Sequence, residues 1–245
     1  PIKYLDDKVE EHGEFDFTRQ MMLNLDAAEG INLKREWLHE FDFTKINSTW
    51  PVYFGIDYAS SSDKIGAKHR DYFALSIGRV IPGGGVVLVD GFRDRLPQGD
   101  SEEKVKALAS IYNPVVIGFE KTVGSQDALS SLISTGLPIT PCPGAGKRLR
   151  GKGARFEGQG GLGPLFQFSR AWISDAQTPY LKAFREEWAQ WPGGQHDDTL
   201  DATYWMLYVS QGFLITPPEN EGIIRGTRKL SAFATLGKQL AERRG

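Results

Sequence analysis

Cysteine, long apolar runs and net charge are all scarce in this chain of 245 residues. Its one cysteine, Cys142, excludes an internal disulfide framework and a cysteine-based zinc site, and it indicates a reducing, intracellular compartment. No apolar stretch has the length of a membrane span, and no signal peptide opens the chain. The formal net charge of −2 argues against strong attraction of the whole molecule to nucleic acid, but it is compatible with a local basic groove.

A complete phosphate-binding loop is also missing. The segment 144–147 has the glycines and the lysine of such a loop, but Arg148 stands where serine or threonine is required, and the first glycine is absent at the required spacing. We therefore expect no ATPase within the chain. Apolar residues make up 40% and aromatic residues 11% of the sequence, which is enough for a sizeable core.

Three regions are predicted along the chain. Residues 1–49, with helical periodicity over 16–28, are expected to form an arm that packs onto a main domain over 50–215. Residues 216–245 are predicted to be a basic tail. Because the chain begins at Pro1 without methionine, we expect it to be a fragment of a longer protein.

The pattern of the main domain predicts a mixed sheet. Three alternating segments separated by turn signals are expected to be an antiparallel meander: 52–57, 72–80 and 86–92. A helix from Ser101 and alternating strands and helices follow, predicted over 114–120, 125–135 and 137–140. A hairpin and two further helices are predicted over 166–173, 181–191 and 198–211. This α/β order, with parallel strands after a meander and helices on both faces, is the layout of the ribonuclease H-like fold.

Two carboxylates end apolar strands in this arrangement. Asp57 ends the strand 52–57, and Glu120 ends the strand 114–120. Buried carboxylates are costly unless a cation compensates them, and Mg²⁺ prefers carboxylate oxygens. The carboxyl ends of neighbouring parallel strands open onto one crevice, which favours a shared metal site. The alternatives are that Asp57 caps a turn and that Glu120 forms an exposed ion pair with Lys121.

A third group of acids lies at the start of the last helix. Helical spacing aligns Asp198 with the apolar face that carries Trp205, so we predict Asp198 as the principal ligand from this group. Asp197 is predicted to be a second metal ligand or the N-cap, and Asp201 a supporting residue. His196 is interpreted as a solvated loop histidine in preference to a ligand.

Further candidates lie on two loops. Asp71, at the start of the second strand, is a candidate auxiliary acid, whereas Asp63 is interpreted as a solvated carboxylate. The glycine-rich segment 144–163 is either a solvated loop or a flexible finger that binds a phosphodiester backbone without sequence preference, and we favour the finger. Its five basic residues are then candidate DNA contacts: Lys147, Arg148, Arg150, Lys152 and Arg155.

The run Trp-Pro-Gly-Gly-Gln-His-Asp-Asp-Thr-Leu-Asp-Ala at 191–202 resembles the FP-x-G-x-HDD-xx-DA segment of the nuclease domain of large terminase subunits from tailed bacteriophages. Segments 55–59 and 71–75 are similar to the first two strands of that family, and the arm resembles its connector after the ATPase domain. The resemblance covers about residues 15–212. Glu120 stands where many members have aspartate, and the loop before Asp71 is long.

The resemblance implies a metal-dependent endonuclease that cuts concatemeric viral DNA during genome packaging, in the host cytoplasm. Asp57, Glu120 and Asp198 are then expected to hold two Mg²⁺ or Mn²⁺ ions for phosphodiester hydrolysis, with Asp197 as a further ligand. The implied partners are double-stranded DNA, an ATPase domain beyond this chain, a small terminase subunit and a portal, with no membrane.

Three other functions are compatible with the pattern. A Holliday-junction resolvase or a transposase shares the fold and the acids. An actin-like or sugar kinase also begins with a Gly-Ile-Asp strand, but it needs phosphate loops in a second domain that this length hardly accommodates. An inert docking module would retain the fold without activity.

Overall fold

The computed structural model describes residues 33–58, 72–143, 152–158 and 161–214. Within these residues, the strands are β1 Glu40–Phe41, β2 Val52–Asp57, β3 Phe73–Val80, β4 Val86–Asp94, β5 Val116–Lys121, β6 Ile139–Pro143 and β7 Ala171–Ser174. The α-helices are α1 Gln98–Tyr112, α2 Gln126–Ser134, α3 Lys152–Phe156, α4 Leu162–Gln167, α5 Pro179–Gln190 and α6 Asp198–Leu214. Short 3₁₀ turns span Arg35–Trp37, Phe43–Lys45 and Val123–Ser125.

The seven strands form one mixed sheet in the order β1-β7-β4-β3-β2-β5-β6. Strands β2, β3 and β4 pair antiparallel, as predicted for the meander. Strand β5 pairs parallel to β2, and β6 pairs parallel to β5. The mixed ribonuclease H-like sheet predicted from the sequence is therefore confirmed.

Two hydrophobic cores cover the two faces of this sheet. Alternation along β2 sends Tyr53 to one face, where it joins the aromatic side chains of α5 and α6 such as Trp188 and Trp205. Phe54 and Ile56 lie in the opposite core, with side chains of α1 and α2. Helices on both faces of the sheet were predicted. In agreement, the central strand β2 is almost wholly buried, because side chains on both of its faces are covered by helices.

Several predicted elements differ from the structure. Residues 166–173 were predicted as a hairpin, but they contain the end of α4 and a strand, β7, that pairs parallel to β4. The alternation of Phe166 and Phe168 has another cause, since the helix buries Phe166 against Trp188 and leaves Phe168 exposed. Helix α1 begins before Ser101, whose hydroxyl donates to the Pro97 carbonyl at 3.1 Å instead of capping the helix.

The region before residue 50 also contributes to the sheet. Strand β1 pairs parallel to β7, with Glu40 opposite Ile173. Leu33 and Trp37 are buried in the core that contains α5 and α6. The described part of the predicted arm is thus packed on the main domain, while the helix predicted over 16–28 lies outside the described residues. Of the helices that the structure describes, none is long and apolar enough to cross a membrane.

Candidate functional site

Two neighbouring strands place Asp57 and Glu120 side by side. The parallel register of β2 and β5 sets Ile56 opposite Phe119, so the next residue on each strand is an acid at the same edge of the sheet. Glu120 is 7% exposed, and Asp57 is partly buried. The structure therefore brings together the two strand-end carboxylates that the sequence singled out.

Glycines in the same two strands let α6 approach this edge. A Cβ atom added at Gly55 would clash with the backbone of Ala202 and Met206, and one added at Gly118 would lie 2.8 Å from the carbonyl oxygen of Trp205. Helix α6 can therefore lie against the sheet only because both strands carry glycine here. This close packing brings the first turn of α6, with Asp198 and Asp201, to the edge that carries the strand acids.

Four carboxylates consequently form one acid cluster, which comprises Asp57, Glu120, Asp198 and Asp201. Burial raises the pKa of Asp57 well above its ordinary value, and the negative charges of Asp201, Glu120 and Asp198 raise it further. A hydrogen bond with the Glu120 carboxyl acts in the same direction. The cluster therefore has an excess of negative charge around Asp57, which is the electrostatic condition for binding a cation.

Arg155 partly neutralises the cluster. Its Nη1 atom lies 2.9 Å from Oδ1 of Asp201 and 3.4 Å from Oε1 of Glu120. The guanidinium carbon lies 5.3 Å from the ring centroid of Trp205 and 5.9 Å from that of Tyr204. Arg155 is 4% exposed, so in this structure it is a buried partner of the acids and not an exposed contact for DNA as predicted.

Arg93 contacts a different member of the cluster. Its guanidinium nitrogens lie 3.1 Å from Oε1 of Glu187 and 3.3 Å from Oδ2 of Asp198. The guanidinium carbon also lies 3.8 Å from the ring centroid of Tyr72. Sequence reasoning missed Arg93 and Glu187, although Glu187 stands on the apolar side of α5, three residues after the buried Phe184, which is an unusual place for an acid.

The predicted acids at the start of α6 differ in their surroundings. Asp198 and Asp201 are both buried, although helical spacing had put Asp201 on a flanking face, because Arg155 covers that face. Asp197 is partly buried, and its carbonyl accepts the amide of Asp201 at 2.9 Å, which places it at the N-cap. Nδ1 of His196 lies 3.7 Å from Oδ2 of Asp198, and its ring packs edge-on against Tyr72.

Several sequence-based candidates lie outside the described residues. Asp71 and Asp63 belong to the segment between β2 and β3, and nothing is described for them. The same applies to three of the candidate DNA contacts, Lys147, Arg148 and Arg150, and to the side chain of Lys152 in α3. Their predicted roles stay predictions.

The acid cluster fits a hard divalent cation by its chemistry. All four side chains offer carboxylate oxygens, the ligands that Mg²⁺ and Mn²⁺ prefer, with no thiolate among them. Across the described residues, no group of three or more histidine, cysteine, aspartate or glutamate side chains is already arranged to hold a metal ion. Arg155 and Arg93 instead hold three of the four acids by ion pairs.

Comparison with known proteins shows the fold. A scan against protein-family models finds no match, and no curated protein matches the chain. Crystal structures of the large terminase nuclease from thermophilic phage G20c are similar to it at a TM-score of 0.51. The structure with bound zinc shares 15% identity over 73% of this chain and 96% of that one. The structures with bound cobalt and with bound magnesium each share 14% identity over 73% of this chain, and cover 98% and 95% of theirs. The chain therefore has the ribonuclease H-like fold of a large terminase nuclease.

Proposed function

We propose that this chain is a metal-dependent DNA endonuclease. One observation carries the proposal: four carboxylates from β2, β5 and α6 converge on one edge of a ribonuclease H-like sheet, where burial and the charges of the other three acids raise the pKa of Asp57. The nuclease structures of this fold include forms with bound zinc, cobalt and magnesium. Taken together, these support a nuclease whose acids hold divalent cations.

The residues proposed to hold the ions are Asp57, Glu120 and Asp198, with Asp201 beside them. When bound, divalent ions neutralise the scissile phosphate and activate water for its hydrolysis, as in other two-metal sites. The chain contributes rigidity, because Asp57 and Glu120 lie on paired strands and Asp198 on a helix seated against two glycines. Asp57 must be ionised to bind a cation, so cation binding competes with protonation of this carboxyl, whose pKa is raised by burial and by the neighbouring acids.

The biological role proposed for this activity is viral genome packaging. The likeness of 191–202 to the terminase segment supports cleavage of concatemeric DNA with little sequence preference. In that role the chain would act in the host cytoplasm on double-stranded DNA, together with an ATPase domain, a small terminase subunit and a portal. Two Mg²⁺ or Mn²⁺ ions are proposed as the cofactors. Lys147, Arg148, Arg150 and Lys152 are proposed as DNA contacts.

Cleavage of supercoiled plasmid tests the activity. The 245-residue chain is incubated with plasmid and Mg²⁺ or Mn²⁺, with and without EDTA, and compared with Asp57→Asn. Asp127→Asn, which alters an exposed acid in the first turn of α2, is the matched control. We expect nicked and linear DNA from the chain and the control, and none from Asp57→Asn or in EDTA. Cleavage that survives Asp57→Asn contradicts the proposal.

A further inference from the structure

The start of α6 is tied to α5 by a buried glutamate. The amide of Thr199 donates to Oε2 of Glu187 at 2.8 Å, and the Thr199 hydroxyl donates to the same oxygen at 2.5 Å. Glu187 is 4% exposed. A carboxylate that accepts the first amides of a helix satisfies donors that have no partner within the helix, and its charge interacts favourably with the helix dipole. Glu187 therefore caps α6 from a neighbouring helix.

The same glutamate is held from a third element. Nη1 of Arg93, near the end of β4, lies 3.1 Å from its other carboxylate oxygen, Oε1. Burial raises the pKa of Glu187, while the hydrogen bonds from Thr199 and the charge of Arg93 act in the opposite direction. The second arm of the Arg93 guanidinium reaches Oδ2 of Asp198 at 3.3 Å, and its plane is supported by Tyr72.

We infer that Glu187 and Arg93 are positioning residues that set the orientation of Asp198 in the acid cluster. This inference rests on the proposed function. The set of Arg93, Glu187, Thr199 and Asp198, which we call the Arg93 clamp, joins β4, α5 and α6 at the residue that holds the metal. Both oxygens of Glu187 are engaged by the clamp, so Glu187 supports the site and does not ligate the metal.

The geometry distinguishes this role from general packing. Asp198 stands in the first turn of α6, so a small rotation of the helix start moves its carboxylate relative to those of Asp57 and Glu120. Glutamine at position 187 can still accept from Thr199 through one oxygen, but its amide group would face Arg93. The ion pair would be lost with little change in volume. Residues that orient metal ligands in this way are worth about 10- to 100-fold in metal affinity or activity.

The experiment compares Glu187→Gln with Glu186→Gln, a change of the adjacent, exposed glutamate on the same helix. The full chain is used, and folding is verified by melting curves. We expect Glu187→Gln to weaken Mn²⁺ binding in calorimetry and to lower kcat for plasmid cleavage, each by about tenfold or more, with KM for DNA unchanged. Amide exchange at Thr199 should become faster in this variant. Glu186→Gln should match the wild-type chain in all measurements.

Arg93 provides a second route, which serves if Glu187→Gln fails to fold. Arg93→Gln should reproduce the losses in Mn²⁺ affinity and kcat, and Arg93→Lys should restore part of both. Equal Mn²⁺ affinity and kcat in Glu187→Gln and Glu186→Gln, with an active wild-type chain, overturns the inference and leaves the proposed function standing. A rise in KM without a fall in kcat overturns it too, because the clamp would then act on DNA. A wild-type chain that neither binds Mn²⁺ nor cleaves DNA overturns both.

Discussion

Two arginines, Arg155 and Arg93, contact the acid cluster, and they differ in the residues that they pair with. Arg155 lies between Glu120 and Asp201, two members of the cluster, and aromatic rings of α6 enclose it. Arg93 joins one member, Asp198, to Glu187, which lies outside the cluster. Arg155 is buried and Arg93 is partly buried, and of the two only Arg155 stands between carboxylates that a metal would need to share.

Arg155 neutralises the charge of the acids, whereas Arg93 holds one acid in position. A cation that bridges two candidate ligands lowers their repulsion in the metal-free protein and competes with an entering ion for the same oxygens. A cation that joins a ligand to a helix cap adds stiffness without occupying the site. We therefore expect removal of Arg155 to strengthen the response to metal, and removal of Arg93 to weaken it.

The largest effect on plasmid cleavage is expected from Asp198, and its neighbour Asp197 serves as the comparison. Asp198→Asn is expected to lower plasmid cleavage by more than about 100-fold, since loss of a ligand should exceed loss of a supporting residue. Asp197→Asn should lower it by less than about tenfold, because Asp197 stands at the N-cap and an asparagine caps as well. Cleavage rates with Mn²⁺ decide. A loss for Asp197→Asn as large as that for Asp198→Asn would assign the ligand to both.

For the second arginine, Arg155→Met should destabilise the metal-free protein by about 3 to 5 kcal/mol, the usual result of leaving buried acids without their cation. The rise in melting temperature on adding Mn²⁺ should then exceed that of the wild-type chain, because the ion replaces the missing charge. Arg35→Met, at an exposed position, should change neither quantity. A smaller Mn²⁺-induced rise would mean that Arg155 holds Glu120 in place for the metal and does not compete with it.

A moderate effect is expected from the carboxyl of Asp57, which is paired with neither Arg93 nor Arg155 in the ion pairs described above. The raised pKa of Asp57 means that the folded protein binds a proton where the unfolded chain does not, so stability falls as pH rises above the ordinary value of 3.8. Without metal, Asp57→Asn should therefore melt at a higher temperature than the wild-type chain at neutral pH. A gain of about 1 kcal/mol corresponds to roughly 2 to 4 °C in a domain of this size.

This gap should close as the pH is lowered below 3.8, where both states are protonated, and it should be absent for Asp127→Asn. Melting curves in EDTA across this pH range make the comparison. A gap that stays constant with pH would show that the asparagine acts through packing and not through charge.

The smallest effect should come from His196. Its ring is about one-third exposed and lies 3.7 Å from Asp198, so the pair contributes less than about 1 kcal/mol. His196→Gln should change kcat and Mn²⁺ affinity by less than about threefold, measured beside Glu187→Gln in the same assays. A loss as large as that of Glu187→Gln would add His196 to the Arg93 clamp.

Much of the fold and half of the site follow from local pattern. Apolar segments that end in Asp57 and Glu120 predict paired strands with acids at one edge, because parallel strands must align their carboxyl ends. The glycines before these acids carried a signal too, since Gly55 and Gly118 face a helix backbone. The helical spacing of α6 predicted that Asp198 lies on the apolar face, and Asp198 is buried in the structure.

The cations could not be predicted in this way. Arg155 belongs to a glycine-rich segment whose composition indicates an exposed finger, and only the tertiary packing of α3 against α6 turns it inward. Arg93 and Glu187 lie about ninety residues apart in sequence, so no spacing rule joins them. The one available signal was an acid on the apolar side of α5.

Titration of Mn²⁺ into the metal-free chain, followed by calorimetry, tests the central claim most directly. If the acid cluster is a divalent-cation site, the wild-type chain shows saturable binding. Asp57→Asn then shows none, while Asp127→Asn binds like the wild type. Equal binding by the wild-type chain and Asp57→Asn, or no binding by either, would contradict the account.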